Sequence, residues 1–249
     1  MKILITRPRA QSADFGAALQ SAGFEPVYFP VIEIRPAQDL SALDKALKNI
    51  ERYSWLVFTS VNAVDVFFDH MTRLGGGIHL PESLKIAAIG PKTAAALRLR
   101  SVEPLFTPAE FVGEAILPGL GDLHGKWVLL PRAEIARTAL PEAILLAGGL
   151  PREVIVYRTL PAVPNPQGLL ALKTGVAWIT FTSPSTVQNF VQIIRQNGLD
   201  PFNLPGNPRI ACIGPVTYQE AQKEGFSELQ MAKEYTADGL VELIKTLSN

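Results

Sequence analysis

Two short motifs whose hydroxyl groups could bind an anion each occur twice in this chain of 249 residues. The first is Phe-Thr-Ser, at residues 58–60 and again at 181–183. The second is Ile-Gly-Pro-x-Thr, at residues 89–93 and again at 213–217. Each motif closes a short apolar run and precedes a helical pattern. Because the free N–H groups of helix N-termini attract anions, the motifs together indicate an anion site.

Capping and turn chemistry also explain each motif taken singly. Ser or Thr after a strand is a good helix N-cap, and Gly-Pro suits a tight turn that leads into a helix. Four such ends brought together favour a ligand, because amides and hydroxyls accumulate there without formal charge. The motifs contribute these candidate binding residues: Thr59, Ser60, Gly90, Thr93, Thr182, Ser183, Gly214 and Thr217.

Arginine occurs at comparable places in the two halves of the chain. Arg7 and Arg9 follow the first apolar run, and Arg132 follows the corresponding run in the second half. Arg35 and Arg158 lie on two longer β-rich segments. A solvated surface position explains each arginine alone, whereas their repetition at strand ends favours binding of carboxylate or phosphate. Arg7 and Arg132 are the predicted anion ligands.

Composition and missing motifs narrow the function further. Lys and Arg total 23 and Asp and Glu total 23, so the net charge of zero argues against a nucleic-acid surface. His70, His79 and His124 lack the spacing of metal ligands, so no metal site is predicted. The sequence contains no GxGxxG, GxxxxGKS/T or GxSxG motif, and we expect no organic cofactor.

Cysteine and hydropathy bear on the compartment. The single cysteine, Cys212, lies in an apolar run and is predicted to be a small buried residue, which excludes a disulfide framework. The first residues show no apolar signal core, and no run approaches 18 apolar residues. We expect a cytoplasmic protein with no membrane partner.

The motifs belong to a longer internal repeat. Residues 55–68 (WLVFTSVNAVDVFF) match residues 178–191 (WITFTSPSTVQNFV), and residues 86–93 match residues 210–217. The offsets of 123 and 124 residues are nearly equal, so both matches belong to one duplication. A repeat of this size predicts two similar domains, with a cleft between them as the first place to look for function.

Apolar β-rich runs alternate with helical patterns in both halves. This alternation predicts parallel sheets with helices on both faces. The predicted strands are 3–6, 26–34, 55–60, 85–90 and 102–107 in the first half, and 127–131, 152–159, 176–182, 209–214 and 227–232 in the second.

The second strand of each half is long and ends in proline, at residues 29–36 and 154–166. Such strands could run from one domain into the other and pair as a ribbon. The first unit, to about residue 35, would then fold with residues from about 162 onward. Periodicity alone does not separate this arrangement from a plain cut near residue 125.

Taken together, the sequence resembles the uroporphyrinogen-III synthase family. The resemblance implies two flavodoxin-like parallel-sheet domains joined by a two-stranded β-ladder, with a first domain of residues 1–35 plus 162–249 and a second of residues 36–161. The matching segments keep the family's order over nearly the whole chain. They are TRP (6–8), FPVIEIRP (29–36), FTSVNAV (58–64), IAAIGPKT (86–93), VIVYRT (154–159), FTSPSTV (181–187), IACIGPVT (210–217) and YTADGLVELI (235–244).

The resemblance also implies a reaction. The family cyclises hydroxymethylbilane, a linear tetrapyrrole, with loss of water and inversion of the last pyrrole ring, which makes it a cyclising hydro-lyase. It uses no metal or organic cofactor, and its small-molecule substrate carries several carboxylates. We expect a cytoplasmic monomer without nucleic-acid or membrane partners. The alternative is a non-catalytic two-domain binding protein for an anionic ligand or a tetrapyrrole.

Residue by residue, Tyr157 matches the tyrosine of the family's Val-Tyr-x-Thr motif, where it is a candidate to assist departure of the hydroxyl. Without the resemblance, the simpler reading of Tyr157 is an aromatic side chain on a sheet surface. The hydroxyls of the repeated motifs, together with Ser185, match positions that line the family's cleft.

Overall fold

The computed structural model describes residues 1–75, 79–108 and 113–248. By its contacts the chain divides into two compact units, Met1–Glu33 with Leu160–Asn249, and Ile34–Thr159. Within the described residues each unit contains one five-stranded sheet. The α/β class predicted from the alternating pattern is confirmed.

The strands and helices alternate along most of the chain. The strands are β1 (Lys2–Ile5), β2 (Glu25–Tyr28), β3 (Ile32–Pro36), β4 (Tyr53–Phe58), β5 (Lys85–Ala88), β6 (Trp127–Ala133), β7 (Leu150–Pro161), β8 (Trp178–Phe181), β9 (Arg209–Cys212) and β10 (Leu229–Met231). The α-helices are α1 (Ala13–Ser21), α2 (Ser41–Lys48), α3 (Val61–Arg73), α4 (Pro91–Leu99), α5 (Leu117–Leu120), α6 (Ala139–Leu146), α7 (Pro166–Thr174), α8 (Pro184–Gln196), α9 (Pro215–Glu224) and α10 (Ala237–Ser248). Short 3-10 turns occur at Arg9–Gln11, Ile50–Arg52 and Gly113–Ile116.

The sheet of the first unit has the order β10-β9-β8-β1-β2, and its neighbouring strands are parallel. Numbered within the unit, this order is 2-1-3-4-5, that of the flavodoxin-like doubly wound fold. In the middle of the sheet, Ile5 pairs with Thr180 of β8. The carboxyl ends of β1 and β8 therefore lie level at one edge.

The sheet of the second unit has the order β3-β7-β6-β4-β5, in which β4 pairs in parallel with β5 and β6, and β6 with β7. Strands that match in the internal repeat occupy corresponding places in the two sheets. Across its sheet the second unit has β7, β6, β4 and β5 in the same order in which the first unit has β2, β1, β8 and β9. The fifth predicted strand, 102–107, is wrong, because only Phe106 forms a parallel bridge, to Ala87. Pro104 lacks an N–H and stands next to Leu105, which limits the pairing there.

The long strand predicted at 26–34 is also wrong as a single element. It divides into β2 and β3, with Phe29 to Val31 between them and Pro30, which has no N–H, at the centre. β3 lies next to β7 at the edge of its sheet, and the Ala37 amide donates to the Val156 carbonyl at 2.9 Å. A ladder of these strands that joins the two domains stays a prediction.

Each sheet is packed with apolar side chains on both faces. In the second unit, Phe58 lies edge-on to Phe67 with ring centroids 5.4 Å apart. In the first unit, Phe181 packs against Phe190 at 5.4 Å. Burying one phenylalanine side chain contributes about 1.5–3 kcal/mol to the stability of the fold. The buried cores hold the strands in place, so the residues at the strand ends have fixed positions.

Candidate active site

The predicted site residues of the second unit lie at one edge of its sheet. Thr59 and Ser60 follow β4, and Gly90 follows β5. Arg132 lies near the end of β6, and Tyr157 lies on β7 beside the last residue of β6. Because the carboxyl ends of neighbouring parallel strands meet at the same edge, the fold brings these residues into one row.

Ser60 and Tyr157 form a direct contact in this row. The Ser60 Oγ lies 3.2 Å from the Tyr157 hydroxyl, and either oxygen could donate the proton. The backbone N–H of Ala63 donates to the same Oγ at 3.2 Å, so Ser60 is also the N-cap of α3. Tyr157 is 8% exposed and belongs to the core of its unit. The pairing holds the phenol at the N-terminus of a helix.

The second motif places backbone amides at the neighbouring strand end. Gly90 is the N-cap of α4 with φ 85°, a conformation that only glycine adopts without strain. No side chain caps this helix, and Pro91 occupies its first turn. Thr93 is 4% exposed, and within the part of the chain that the structure describes its hydroxyl has no hydrogen-bond partner. The turn therefore presents donors that are available to an anion.

Arg132 has a different environment from the one expected. It is 6% exposed, and its guanidinium forms a short ion pair with the Glu153 carboxylate and donates to the Arg137 carbonyl. Its Nε is buried without a partner among the described residues. Because Glu153 already compensates the charge, the main visible effect of Arg132 is to tie β6 to β7 and to the loop that follows β6. Binding of substrate by Arg132 stays a prediction.

Arg7 occupies the equivalent strand end in the first unit, immediately after β1. Burial lowers the pKa of its guanidinium, and no carboxylate pairs with it in the ranges that the structure describes. An arginine stays protonated at neutral pH in spite of such a shift. The Ser12 hydroxyl donates to the Pro8 carbonyl at 2.8 Å and so fixes the loop that carries Arg7. Arg7 is thus a cation on a fixed loop, and among the described residues no carboxylate neutralises its charge.

The Thr-Ser motif of the first unit forms its hydrogen bonds locally, among residues 182–186. Ser183 caps α8 by accepting from the Thr186 N–H at 3.3 Å, and its hydroxyl lies 2.9 Å from that of Ser185. The Thr186 hydroxyl in turn accepts from the N–H groups of Thr182 and Ser183, both at 3.2 Å. Sequence reasoning missed Thr186, although the Ser-x-x-Thr spacing after a strand is a variant of the capping box.

Gly214 and Thr217 lie at the next strand end of the first unit, after β9. Gly214 is the N-cap of α9 with φ −170°, an ordinary extended conformation. The Tyr235 ring lies against it, 3.4 Å from where a side-chain Cβ would be. Thr217 is 4% exposed, and the described residues offer its hydroxyl no hydrogen-bond partner. This strand end resembles that of Gly90 in chemistry but not in backbone conformation.

Metal clusters and membrane-spanning helices are both missing from the described residues. No group of three or more His, Cys, Asp or Glu side chains among them is arranged to hold a metal ion. His70 instead pairs with Asp44, with 2.6 Å between its Nε2 and the carboxylate oxygen. None of the described helices has the length and apolar character needed to span a membrane.

Comparison with known proteins gives consistent matches. The family model described as HEM4, uroporphyrinogen-III synthase HemD, matches residues 13–242. The uroporphyrinogen-III synthase of Synechococcus elongatus is 32% identical, over 96% of this chain and 92% of its own length. That of Chlorobaculum parvum is 30% identical, over 90% of this chain and 89% of its own length.

A solved structure supports the fold. The uroporphyrinogen-III synthetase of Helicobacter pylori superposes with a TM-score of 0.67 at 21% identity and covers 99% of both chains. At that identity the likeness bears on the fold alone. With the family model matched over most of the sequence and relatives aligned nearly end to end, the chain belongs to the uroporphyrinogen-III synthase family.

Proposed function

We propose that this chain is a cyclising hydro-lyase that converts hydroxymethylbilane to uroporphyrinogen III in tetrapyrrole biosynthesis. The reaction expels the substrate's hydroxyl as water, closes the ring and inverts the terminal pyrrole. Family membership supports the reaction class. The contact between Ser60 and Tyr157 is the single observation in this chain that carries the chemistry.

Tyr157 is proposed to donate its phenolic proton to the departing hydroxyl. The Ser60 Oγ accepts the Ala63 N–H, which leaves the serine proton free to point at the Tyr157 oxygen. In that arrangement the phenol proton is available to the substrate. The positive end of the α3 dipole and the serine donor would stabilise the phenolate that forms. The proton balance closes, because the free pyrrole carbon that forms the new bond loses a proton.

Binding is proposed to fall on the hydroxyls, amides and arginine at the carboxyl ends of the strands in each unit. Carboxylates on the substrate need donors that are not already neutralised, and Arg7 is such a cation. The uncapped first turns after Gly90 and Gly214 add backbone N–H groups. Thr59, Thr93, Thr182, Ser185 and Thr217 stay predicted ligands on the same basis.

Control of the product isomer is proposed to come from orientation. Unassisted closure gives the symmetric isomer, so the protein must hold the last ring so that its substituted carbon bonds first, which gives a spirocyclic intermediate. The bond from that carbon to its original methylene bridge then breaks, and the free carbon of the same ring bonds the released methylene and loses its proton. Fixing the reacting atoms is an effective means of selecting one of two closures. We propose that no cofactor takes part and that the protein is a cytoplasmic monomer. Sedimentation of the purified chain would check that it is monomeric.

The decisive experiment is the isomer composition of the product. Hydroxymethylbilane is added to the purified chain, the product is oxidised, and the I and III isomers of uroporphyrin are separated by chromatography. Predominance of isomer III in the presence of protein, and of isomer I without it, supports the proposal. Binding of the substrate with only isomer I formed would instead identify a non-catalytic tetrapyrrole-binding protein.

A further inference from the structure

A surface cavity of about 230 Å³ lies in the second unit, away from the residues described above. Tyr53 begins β4 and Trp127 begins β6, so the cavity lies at the amino ends of these strands. The candidate active site lies at their carboxyl ends, on the opposite edge of the same sheet. The residues that line the cavity are Ala42, Lys45, Ala46, Asn49, Arg52, Tyr53, Trp127 and Arg152.

Three cations converge on this cavity: Lys45, Arg52 and Arg152. All three side chains are exposed, and within the described part of the chain none forms an ion pair with a carboxylate. Two other surface arginines of this unit do have carboxylate partners: Arg98 pairs with Glu103 at 2.9 Å and Arg100 with Asp69 at 2.7 Å. The charge of Lys45 acts on the Asp39 carboxylate, whereas Arg52 and Arg152 bring positive charge to the cavity that no ion pair among the described residues compensates.

Aromatic side chains give the cavity a defined wall. The rings of Tyr53 and Trp127 meet edge to face with centroids 6.4 Å apart, and the Arg52 guanidinium lies 5.9 Å from the Trp127 ring. Burial raises the pKa of the Tyr53 phenol, while the charges of Arg152 and Arg52 oppose that rise. Both guanidinium groups thus act electrostatically on the phenol that lines the same cavity. The Asn49 amide donates to the Lys45 carbonyl at 2.8 Å, which steadies the end of α2.

We propose that this cavity binds a small polyanion carrying at least two carboxylate or phosphate groups. A monoanion would leave most of the positive charge unmatched, whereas a polyanion can pair with two guanidinium groups and a lysine at once. The volume suits a compact molecule such as a tricarboxylate or a diphosphate. The site is independent of the proposed reaction, because it uses none of the residues assigned to substrate.

The test is calorimetric titration of the purified chain at low ionic strength with citrate, inorganic pyrophosphate and acetate. We expect saturable binding of citrate or pyrophosphate, and the tighter of the two identifies the carboxylate or phosphate source. Acetate should bind much more weakly. Arg52→Ala and Arg152→Ala should each weaken binding about tenfold or more, the effect of losing a charge-assisted hydrogen bond. These exposed positions should tolerate alanine, which the melting temperature of each variant checks.

Lys85→Ala is the matched control. Lys85 is an exposed cation that begins β5, so it lies at the same edge of the same sheet but outside the cavity. Its removal should leave the affinity for the polyanion unchanged. Equal weakening by Lys85→Ala would mean that the ligand responds only to net charge, and the proposal would fall. Unchanged binding in both arginine variants, or no saturable binding in the parent chain, would overturn it as well.

Discussion

The two Phe-Thr-Ser motifs are identical in sequence, yet their serines have different partners. Ser183 is satisfied close by, since it accepts from the Thr186 N–H and lies 2.9 Å from the Ser185 hydroxyl. Ser60 reaches Tyr157, which is 97 residues away along the chain. Asn62 stands where the other motif has Ser185. The comparison shows that one copy stabilises its own helix, whereas the other copy also holds the phenol of a distant strand.

The Ile-Gly-Pro-x-Thr motifs differ in the same manner. Gly90 has φ 85° and Gly214 has φ −170°, although both precede a proline and a helix. Only the first of these conformations requires glycine. The repeated sequence therefore supports two different local backbones, and the second unit carries the one that requires glycine.

The largest expected effect comes from Gly90→Ala. A side chain at φ 85° and ψ 153° is strained, so the variant should lose about 1–3 kcal/mol in free energy of unfolding. Gly214→Ala is the control, because its backbone accepts any residue and the added methyl meets the Tyr235 ring at an ordinary 3.4 Å. Urea denaturation of both variants checks this. Equal losses at the two positions would contradict the conformational argument.

The next effect is on turnover. Tyr157→Phe removes the proposed proton donor and should lower kcat about tenfold or more, a barrier increase of about 1.4 kcal/mol or more. The fold should persist, because the ring still fills the same core position. Measurement of kcat and of the melting temperature separates the two effects. A normal kcat in a stable variant would remove Tyr157 from the mechanism.

Ser60→Ala and Ser183→Ala form a matched pair with smaller effects. Both variants lose a helix N-cap, so each should lose about 1 kcal/mol of stability. Only Ser60→Ala also loses the contact with the phenol, which should raise the barrier to turnover by about 0.5–2 kcal/mol. Kinetic assays of the two purified variants give the result. A larger loss of turnover in Ser183→Ala would reverse the assigned roles.

The smallest effect near neutral pH concerns Cys212, which stands where the first half has Ala88. Burial raises the pKa of its thiol from 9.0 to about 12, so the folded protein keeps the proton that the unfolded chain releases. Its contribution is complete below pH 9 and is lost as the pH rises, by about 1.4 kcal/mol per unit up to about pH 12. Cys212→Ala should lack this alkaline loss. Rapid alkylation of the native thiol at pH 8 would contradict the burial.

Much of the fold could be predicted from the sequence, because buried parallel strands leave apolar runs and their ends leave Gly, Pro and hydroxyl residues. The two wrong strand predictions, at 26–34 and 102–107, have local causes. Pro30 and Pro104 interrupt β-rich runs whose composition alone predicts continuous strands. The candidate site was harder to predict from the sequence, because its contacts depend on how distant strands pair. Examples are the contact of Ser60 with Tyr157 and the ion pair of Arg132 with Glu153. A sequence pattern shows which groups are present but not which are already satisfied.

The place of β1 in its sheet has a consequence for biosynthesis. β1 is an inner strand whose neighbour on one side is β8, so Ile3 pairs with Trp178. The segment Ile34–Thr159 forms a unit by itself and emerges from the ribosome in between. At ordinary translation rates of about 5–20 residues per second, the apolar β1 waits roughly 10–30 s for its partner. The sheet of the first unit therefore cannot be completed before translation supplies β8, and until then the edge of β1 that β8 will cover is open to aggregation.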